Sequence, residues 1–397
     1  MSQLTLPFEL WEGFSPDHIE QHDQHLTIHL SPNRPPCCRC GKLAQAVHDT
    51  TWRTVADRAL MDHTVTLKVP VRRLNCHQCG RGTEHISWLR PFARLSCRLE
   101  RYAERLLALL PVKQVGELLG LHWHTVKAID KRRLQRQVTE PDWSRLRRLV
   151  MDEFALFKGH RYATVIADAD THQVLWIGEG RSRRSIRPFF ERLGERCQQI
   201  EAVAMDMNTA FDLEVQAHCP NARVVYDLFH VVAKYGREVI DRVRLDCAKA
   251  QGTEQQARRH IKRSRWVLLK NEGNLNDKER GRLEALLAAN RDLMVVYVLK
   301  EQLKALWYCR DEQTAHRQWR LWWQQVEESG IAPLLQFARK LKPYLPGIVA
   351  SASYPLHTCR LEGMNNKIKL MKRMAYGYRD LEYFFLKIKA AFPGDPR

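Results

Sequence analysis

The sequence predicts a multidomain α/β protein in which two small N-terminal modules precede a larger C-terminal domain. Five of the eleven cysteines fall within residues 37–79, which is typical of a small metal-stabilised module. A basic stretch with helical periodicity follows, and beyond Pro141 strand-like and helix-like segments succeed one another. The chain has 397 residues, whereas single cores rarely grow past about 250 to 300 residues. We therefore expect domains at 1–90, 91–145 and 146–397.

Charge and hydropathy limit the classes of partner. The chain has 64 Lys and Arg against 45 Asp and Glu, a formal net charge of +19, which favours nucleic acid as a partner. No run approaches the roughly 18 apolar residues that a membrane-spanning helix needs. The first residues also lack the charged start and long apolar stretch of a secretory signal. We expect a cytoplasmic protein with reduced thiols and no membrane partner.

The cysteine cluster consists of two Cys-x-x-Cys-Gly knuckles. Cys37 and Cys40 form the first, and Cys76 and Cys79 form the second, with 35 residues between them. Four thiolates at this spacing can complete one tetrahedral zinc site. The glycine after each knuckle can take a left-handed conformation, which lets backbone amides approach the sulfurs. The pattern predicts one structural Zn²⁺.

Two of the four predicted zinc ligands have alternatives. Cys38 could replace Cys37, and His77 or His85 could substitute for a thiolate. Between the knuckles, residues 64–73 alternate apolar and polar side chains, which predicts a half-exposed strand and a zinc-ribbon-like module. The six other cysteines lack ligand spacing and are interpreted as buried small apolar residues: Cys97, Cys197, Cys219, Cys247, Cys309 and Cys359.

A basic helical module follows the cysteine module. Residues 90–148 contain 14 Lys or Arg and 6 Asp or Glu. A helix over 112–119, a turn over 120–123 and a second helix over 124–134 have helix-turn-helix spacing. An ordinary helical hairpin with a solvated basic face is the alternative. The second helix would pack Val126 and Ile129 inward and carry the expected DNA contacts: His124, Thr125, Lys127, Lys131 and Arg132.

The C-terminal domain begins with three successive strand patterns. These cover 149–155, 162–168 and 173–178, and they are followed by a helix over 185–197, a strand over 200–208, a helix over 209–218 and a strand over 222–227. A three-stranded meander followed by alternating helix and strand is the order of the ribonuclease-H-like fold. In that fold the first and fourth strands are parallel neighbours, so acids at corresponding positions lie side by side.

Asp152 and Asp206 occupy those positions. Two neighbouring carboxylates repel each other unless cations neutralise them, and hard oxygen ligands favour Mg²⁺ or Mn²⁺. Two such ions can activate an attacking oxygen and stabilise a leaving oxygen in an in-line displacement at phosphorus. The pair therefore indicates two-metal phosphoryl transfer.

A third carboxylate must come from elsewhere, and Glu362 is the candidate. It begins a predicted helix on which Asn365, Asn366, Lys369 and Arg373 share its face. An acid followed by amides and cations suits metal binding and then phosphate binding. The rival carboxylates are Glu153, Asp168, Asp170, Asp212 and Glu382.

The segment from about 231 to 350 predicts a helical insertion in the catalytic domain. Helical patterns cover 235–250, 254–270, 277–289, 293–308 and 312–328. Trp319, Trp322 and Trp323 recur at helical spacing, which favours a packed core over base stacking. A basic run is interpreted as a solvated face: Arg258, Arg259, Lys262, Arg263 and Arg265.

Several segments together carry a family resemblance. They are the paired knuckles, Met151-Asp152-Glu153, Ala204-Met-Asp206-Met, Tyr226-Asp227-Leu-Phe229-His230-Val231 and Glu362-Gly-Met-Asn365-Asn366-Lys-Ile-Lys. From about residue 37 to 388 the chain resembles insertion-sequence transposases that have a zinc ribbon, a helix-turn-helix and a DDE catalytic domain, most closely the ISL-three family.

The resemblance implies that Asp152, Asp206 and Glu362 are a complete catalytic triad. Asp227-x-x-His230 looks like a signature of related transposases, although from spacing alone His230 could be a strand-end histidine in a satisfied hydrogen bond. Asn366 and Lys369 become possible accessory residues. The implied partners are terminal inverted repeats and target DNA, bound at the bacterial nucleoid by a homodimer or higher oligomer.

Two other functions compete with a transposase. A DNA-binding regulator could have inherited the fold without activity, but the intact acidic trio argues against it. A nuclease would share the metal site without joining strands. Imperfect inverted repeats flanking the coding region would identify the substrate directly.

Overall fold

A computed structural model describes residues 10–44, 46–78, 80–157, 159, 161–252, 254–356 and 359–395; at 272 and 359–361 the description covers the backbone alone. The chain divides into two compact units, Met1–Gln137 and Val138–Arg397. None of the helices in the described ranges is long and apolar enough to cross a membrane.

The first unit is built on a five-stranded sheet. Its strands are β1 (Phe14–His22), β2 (His25–Pro32), β3 (Ala46–Leu60), β4 (His63–Cys76) and β5 (Gly80–Thr83). The order is β1-β2-β4-β3, with β5 also paired to β4. Val65, Leu67 and Val69 alternate into a buried cluster, which confirms the strand expected over 64–73. The sheet is larger than the expected ribbon because β1 and β2 extend it.

Three helices complete this unit: α1 (Cys97–Leu107), α2 (Val112–Leu119) and α3 (Trp123–Gln137). Gly120 ends α2 in a left-handed conformation, with a φ of +60°. Val126 and Ile129 of α3 are buried, as expected. The predicted helix, turn and helix are confirmed.

The second unit contains a mixed five-stranded sheet. Its strands are β6 (Arg148–Phe157), β7 (Arg161–Asp168), β8 (Val174–Glu179), β9 (Ala202–Met205) and β10 (Arg223–Tyr226). The order is β10-β9-β6-β7-β8. The first three strands form an antiparallel meander, and β9 runs parallel to both β6 and β10. The expected parallel pairing of the first and fourth strands is confirmed.

Two helices, α4 (Arg183–Leu193) and α5 (Thr209–His218), cover one face of this sheet. Met151 of β6 packs there in a cluster with Phe189 of α4 and Phe211 of α5. The helix expected over 185–197 ends earlier, because Gly194 has a φ of +57° and a 3₁₀ segment follows from Gly194 to Gln199.

The segment after β10 is helical, as predicted. It contains α6 (Leu228–Tyr235), α7 (Asp241–Ala250), α8 (Gln255–Arg263), α9 (Arg265–Leu269), α10 (Asp277–Ala289), α11 (Arg291–Ala305), α12 (Glu312–Ser329), α13 (Ala332–Leu341) and α14 (Leu345–Val349). The single helix expected over 254–270 is divided at Ser264, whose hydroxyl donates to the carbonyl of His260. The short helices α13 and α14 were not predicted. Trp319 and Trp322 are buried, so the tryptophans belong to the core, as expected.

The chain then returns to the sheet through α15 (Cys359–Met374) and α16 (Leu381–Ala391). Val150 of β6 packs in a cluster with Ile368 of α15 and Phe384 of α16. Neighbouring strand residues point to opposite faces of a sheet. Met151 therefore packs against α4 and α5 on one face, and Val150 packs against α15 and α16 on the other. This arrangement brings α15 next to the strand that carries Asp152.

Candidate active site

Three aspartates come together at the carboxyl ends of β9 and β10, beside the middle of β6. Val150 pairs with Ala204 across β6 and β9; Asp152 lies two residues further along β6 and Asp206 directly follows β9, and their charges interact. Asp227 directly follows β10, and its amide donates to the carbonyl of Met205 at the end of β9. The parallel strands β6, β9 and β10 therefore gather three acids at one site.

His230 lies between two of these acids. Asp227 caps the start of α6 by accepting from the amide of Phe229 at 3.2 Å, and His230 follows within the first turn. Its Nδ1 lies 2.8 Å from Oδ2 of Asp206, and its Nε2 lies 3.7 Å from Oδ2 of Asp227. The Asp-x-x-His spacing therefore produces an imidazole that interacts with both carboxylates.

The acidic site shifts the pKa values of its members. Burial raises the pKa of Asp152 to about 6, and the charges of Asp206 and Asp227 add to this effect. Burial opposes ionisation of Asp206 as well, but the hydrogen bond and charge of His230 lower the pKa of Asp206 below its ordinary value. The hydrogen bond to Asp206 raises the pKa of His230 to about 9. A protonated imidazole therefore offsets part of the negative charge at neutral pH.

In buffer without Mg²⁺ or Mn²⁺, we expect the second unit to lose stability between pH 6.5 and 9, and we expect His230→Gln to remove most of that loss. The pKa of His230 rises from 6.5 to about 9 on folding, so its stabilising contribution is complete below pH 6.5 and disappears as pH rises through 9. The shift corresponds to at most about 3 kcal/mol, and roughly 1 to 2 kcal/mol is expected because the side chain is 32% exposed. Urea unfolding at several pH values would measure this loss of stability.

The control is the exposed His316, changed to Gln. If the free energy of unfolding depended on pH equally in His230→Gln and in the parent, the prediction would be contradicted.

Helix α15 contributes a further contact to the acidic site. The side-chain amide of Asn365 donates from Nδ2 to Oδ2 of Asp152 at 2.5 Å. Asn365 is buried, and its Oδ1 has no hydrogen-bond partner within the described ranges. Sequence reasoning placed Asn365 on the face of Glu362 but did not select it. The signal available was its position one turn after a candidate metal ligand.

Glu362 lies one turn before Asn365 and is exposed. Among the described residues, the only His, Cys, Asp or Glu group with three ligand atoms within 4.8 Å of one another is formed by cysteines. The carboxylate of Glu362 is therefore not drawn into close contact with both Asp152 and Asp206. Asn366 and Lys369 are also exposed.

The rival carboxylates have other partners. Asp168 and Asp212 are buried. Arg181 pairs with Glu153 at 2.9 Å, Arg148 pairs with Asp170 at 2.5 Å, Tyr226 donates to Asp212 at 2.8 Å and Thr171 donates to Asp168 at 2.9 Å. Glu382 lies in the first turn of α16. These contacts give four of the five rivals a structural role.

The cysteine knuckles come together in the first unit. Ala46 at the start of β3 pairs with Asn75 near the end of β4, which places the segments before β3 and after β4 side by side. The ligand atoms of Cys38, Cys40 and Cys76 lie within 4.8 Å of one another. Sγ of Cys40 lies 3.8 Å from Sγ of Cys76. Three thiols in this arrangement fit a zinc ion.

The structure favours Cys38 over Cys37 as a member of this cluster. The thiol of Cys37 donates to the carbonyl of Cys38 at 3.4 Å, and the clustered sulfur is that of Cys38, the alternative left open above. Cys79 lies outside the described residues. Gly41 and Gly80 have φ values of +83° and +67°, as expected for the knuckle glycines.

The remaining cysteines differ in burial. Cys197 and Cys219 are buried in the core, as predicted. Cys97, Cys247 and Cys309 are only half-buried, so the prediction that they are buried is wrong for these three. The side chain of Cys359 lies outside the described residues.

The predicted DNA-contacting residues lie on the outer side of α3. His124 and Arg132 are exposed, and Thr125, Lys127 and Lys131 are partly exposed. Arg132 forms an ion pair with Glu100 of α1 at 3.1 Å. The guanidinium of Arg132 therefore also links α3 to α1.

Comparisons with known proteins give a consistent family. Residues 149–388 match the family model for the DDE transposase domain of ISL3, described as "Transposase". Residues 84–134 match the helix-turn-helix domain of transposase family ISL3.

Curated relatives extend the match over most of the chain. The transposase for insertion sequence element IS1001 of Bordetella parapertussis is 51% identical over 394 residues, covering 98% of this chain and 97% of the relative. The transposase for insertion sequence element IS1557 of Mycobacterium tuberculosis is 27% identical over 372 residues, covering 86% and 82%. A solved Drosophila P element transposase strand transfer complex has a TM-score of 0.38 at 7% identity, covering 75% of this chain and 91% of that one. This chain belongs to the ISL3 family of transposases.

Proposed function

We propose that this DDE transposase cleaves and joins DNA by two-metal phosphoryl transfer at Asp152, Asp206 and Glu362. The observation that carries the proposal is that Asp152 on β6 and Asp206, which directly follows the parallel strand β9, lie close enough for their charges to interact, with a protonated His230 against Asp206. Such a site has an excess of carboxylate that a divalent cation would neutralise. The family's DDE domain covers all three acids.

The second unit supports a ribonuclease-H-like catalytic domain. Its central strand β6 lies between the antiparallel β7 and the parallel β9; Asp152 lies on β6, and Asp206 directly follows β9. We propose domains at 1–90, 91–145 and 146–397, with the helical insertion at about 231–350 between the second and third acids.

Each residue at the site has a distinct proposed task. Bound Mg²⁺ or Mn²⁺ would activate the attacking oxygen and stabilise the leaving one. Asp152 and Asp206 would hold the cations, and Glu362 would complete the ligand set from α15. Asn365 fixes the orientation of Asp152 through its amide, and its buried Oδ1, which has no partner among the described residues, would accept a hydrogen bond from substrate or water. His230 fixes Asp206 and, with Asp227, tunes the charge of the site. Asn366 and Lys369 would contact phosphate.

A structural zinc is proposed for the first unit. Cys38, Cys40 and Cys76 supply three thiolates, and Cys79 of the second knuckle would supply the fourth. A closed four-thiolate site leaves no position for substrate. Its task would be to hold the sheet together beside the helix-turn-helix.

The DNA partners would be the element's terminal inverted repeats and target DNA. We expect a double variant, Lys127→Ala with Lys131→Ala, to weaken end binding and to reduce its salt dependence, because each phosphate contact releases counterions. The slope of log K against log salt should fall by about two if both lysines bind phosphate. Titration of a labelled end fragment at several salt concentrations would measure both effects.

The matched comparison for this prediction is Arg132→Ala. Arg132 also forms an ion pair with Glu100. Loss of the Arg132 side chain should therefore lower the stability of the first unit as well as its affinity for DNA. Lys113, an exposed lysine of α2 that pairs with Glu117, is the neutral control when changed to Ala. Unchanged affinity and salt slope in the double lysine variant would exclude α3 as the main contact.

Cleavage and joining assays test the function itself. Purified protein, a labelled fragment with the element's end and Mg²⁺ or Mn²⁺ should yield a cut at the end and then joining of the new 3′-hydroxyl to target DNA. Binding without cutting under either metal would favour an inactive regulator. Cutting without joining would favour a nuclease. Synapsis by a homodimer or higher oligomer would appear as a complex containing two labelled ends.

A further inference from the structure

The exposed face of α15 carries a row of polar and cationic side chains that ends at an aromatic ring. Glu362, Asn366, Lys369 and Arg373 are exposed and recur at three- and four-residue spacing. Tyr376 follows Arg373 by three residues, just beyond the helix, and is also exposed. These five residues are called the α15 row. Glu362 is the only acid between residues 359 and 379, a segment that contains six Lys or Arg.

Tyr376 has an unusual backbone conformation for its residue type. Its φ is +55°, in the left-handed region where the Cβ of an L-residue crowds the following carbonyl oxygen. Its amide donates to the carbonyl of Arg373 at 3.0 Å, and the amide of Gly377 donates to the carbonyl of Lys372 at 2.9 Å. This is the pattern of a Schellman helix end, in which the left-handed position is usually glycine. Here glycine comes one residue later.

Local packing does not account for a tyrosine at this position. The side chain of Tyr376 is 97% exposed, so the ring gains almost no burial to offset the unfavourable backbone. A disfavoured conformation without a packing benefit points to a functional constraint. An exposed aromatic ring beside cations is the arrangement with which proteins stack unpaired nucleobases.

The cations of the row are available to a polyanion. Neither Lys369 nor Arg373 has an ion-pair or hydrogen-bond partner within the described part of the chain. By contrast, Lys372 donates to the carbonyl of Ala155 at 2.7 Å, and Lys367 donates to the carbonyl of Ala391 at 3.1 Å. The helix therefore uses Lys367 and Lys372 to dock against the domain and presents Lys369 and Arg373 outward. Phosphate groups complement that outward charge.

We propose that Tyr376 stacks on a nucleobase of the DNA strand that is cut at the acidic site, while Lys369 and Arg373 bind the intervening phosphates. The inference rests on the proposed function, because it takes Glu362 as the position of the cut. Glu362 and Tyr376 are fourteen residues apart, twelve of them within α15, so the separation is about 20 Å, or about six nucleotides of one duplex strand at roughly 3.4 Å each. The stacked base therefore lies within about six nucleotides of the scissile phosphate. It is a base at the opened end or one extruded from the duplex.

The test compares Tyr376→Phe with Tyr376→Gly. Phenylalanine keeps the ring, whereas glycine removes it and suits the left-handed backbone. End fragments would carry 2-aminopurine at each of the six nucleotides on either side of the cut. In the parent and in Tyr376→Phe, we expect fluorescence to be quenched at one position. Tyr376→Gly should lose the quench and bind the end about 5- to 150-fold more weakly, as expected for loss of one base stack. Its thermal midpoint should be equal to or higher than the parent's.

Three outcomes would overturn the proposal. They are a quench retained in Tyr376→Gly, parental affinity and cleavage in that variant, or a fall in its thermal midpoint that accounts for the lost activity. Tyr308→Ala removes another exposed tyrosine, 69% exposed in the helical insertion, and should change neither quench nor cleavage. Glu362→Ala separates the proposed metal site from the proposed stacking. If this variant cuts DNA normally, the proposed metal site is wrong. If it is inactive but keeps the quench, an unexpected result for Tyr376→Gly contradicts the stacking proposal alone.

Discussion

Changing Asp152, Asp206 or Glu362 to Ala is expected to abolish DNA cleavage and joining while leaving end binding intact. The proposed chemistry depends on cations held by these acids, whereas positioning of the ends depends on the helix-turn-helix and on the rest of the surface. Removing one ligand should disturb both cations, since a shared carboxylate couples them. We expect activity to fall by at least about a thousandfold, and a double variant to be little worse than a single one.

The assay is cleavage of a labelled end fragment in Mg²⁺ and in Mn²⁺, with binding of the same fragment as the folding control. Glu153→Gln is the matched control, because Glu153 is the neighbour of Asp152 but pairs with Arg181. This substitution should lower cleavage activity by less than about tenfold. If Glu362→Ala cut normally at parental levels of bound DNA, the third ligand would be another acid. Glu382 and Asp380 would then be tested, although the side chain of Asp380 caps α16.

The strand pairing of the acidic site could be predicted from sequence because few arrangements satisfy the pattern. A meander followed by alternating helix and strand leaves the fourth strand beside the first, and the two-residue period of a strand fixes which side chains share a face. Asp152 and Asp206 therefore follow from the order of elements. The contact between His230 and Asp206 follows less directly, because it depends on the angle at which α6 leaves the sheet.

The contribution of Asn365 could not be derived from its spacing alone. On α15 it lies at the border between the exposed row and the buried residues Met364 and Ile368. Whether such a residue faces solvent or the sheet depends on the rotation of the helix about its axis. Packing of Ile368 against the sheet sets that rotation, and sequence periodicity locates it only to within about one residue.

The same limit applies to the doubled cysteine. Both Cys37 and Cys38 precede Cys40 closely enough to share a metal, so their spacing cannot distinguish them. The choice follows from a backbone turn in which the amide of Gly41 donates to the carbonyl of Cys38 at 2.9 Å. That turn directs Cys38, together with Cys40, towards Cys76.

Removing the zinc ligands is expected to unfold the first unit. Purified parent protein should contain about one zinc per chain, and Cys38→Ala and Cys76→Ala should each lose most of it. Thiolates bind structural zinc with apparent free energies of about 10 to 16 kcal/mol in small peptides, which exceeds the stability of most domains. The loss should therefore open the edge of the sheet where β4, β5 and the knuckles meet, and end binding should fall with it.

Cys37→Ala is the matched control, because its thiol donates to a backbone carbonyl and its sulfur is not in the cluster. It should retain zinc, fold and DNA affinity. The second unit should remain folded in every variant, since its hydrophobic clusters are built from its own residues. Zinc analysis would be combined with limited proteolysis, which should digest only the first unit of Cys76→Ala. Zinc retained by Cys38→Ala but lost by Cys37→Ala would reverse the ligand assignment, and a parent without zinc would refute the site. The comparison is decisive because the two cysteines are adjacent and the substitutions are identical, so only the direction of each thiol differs.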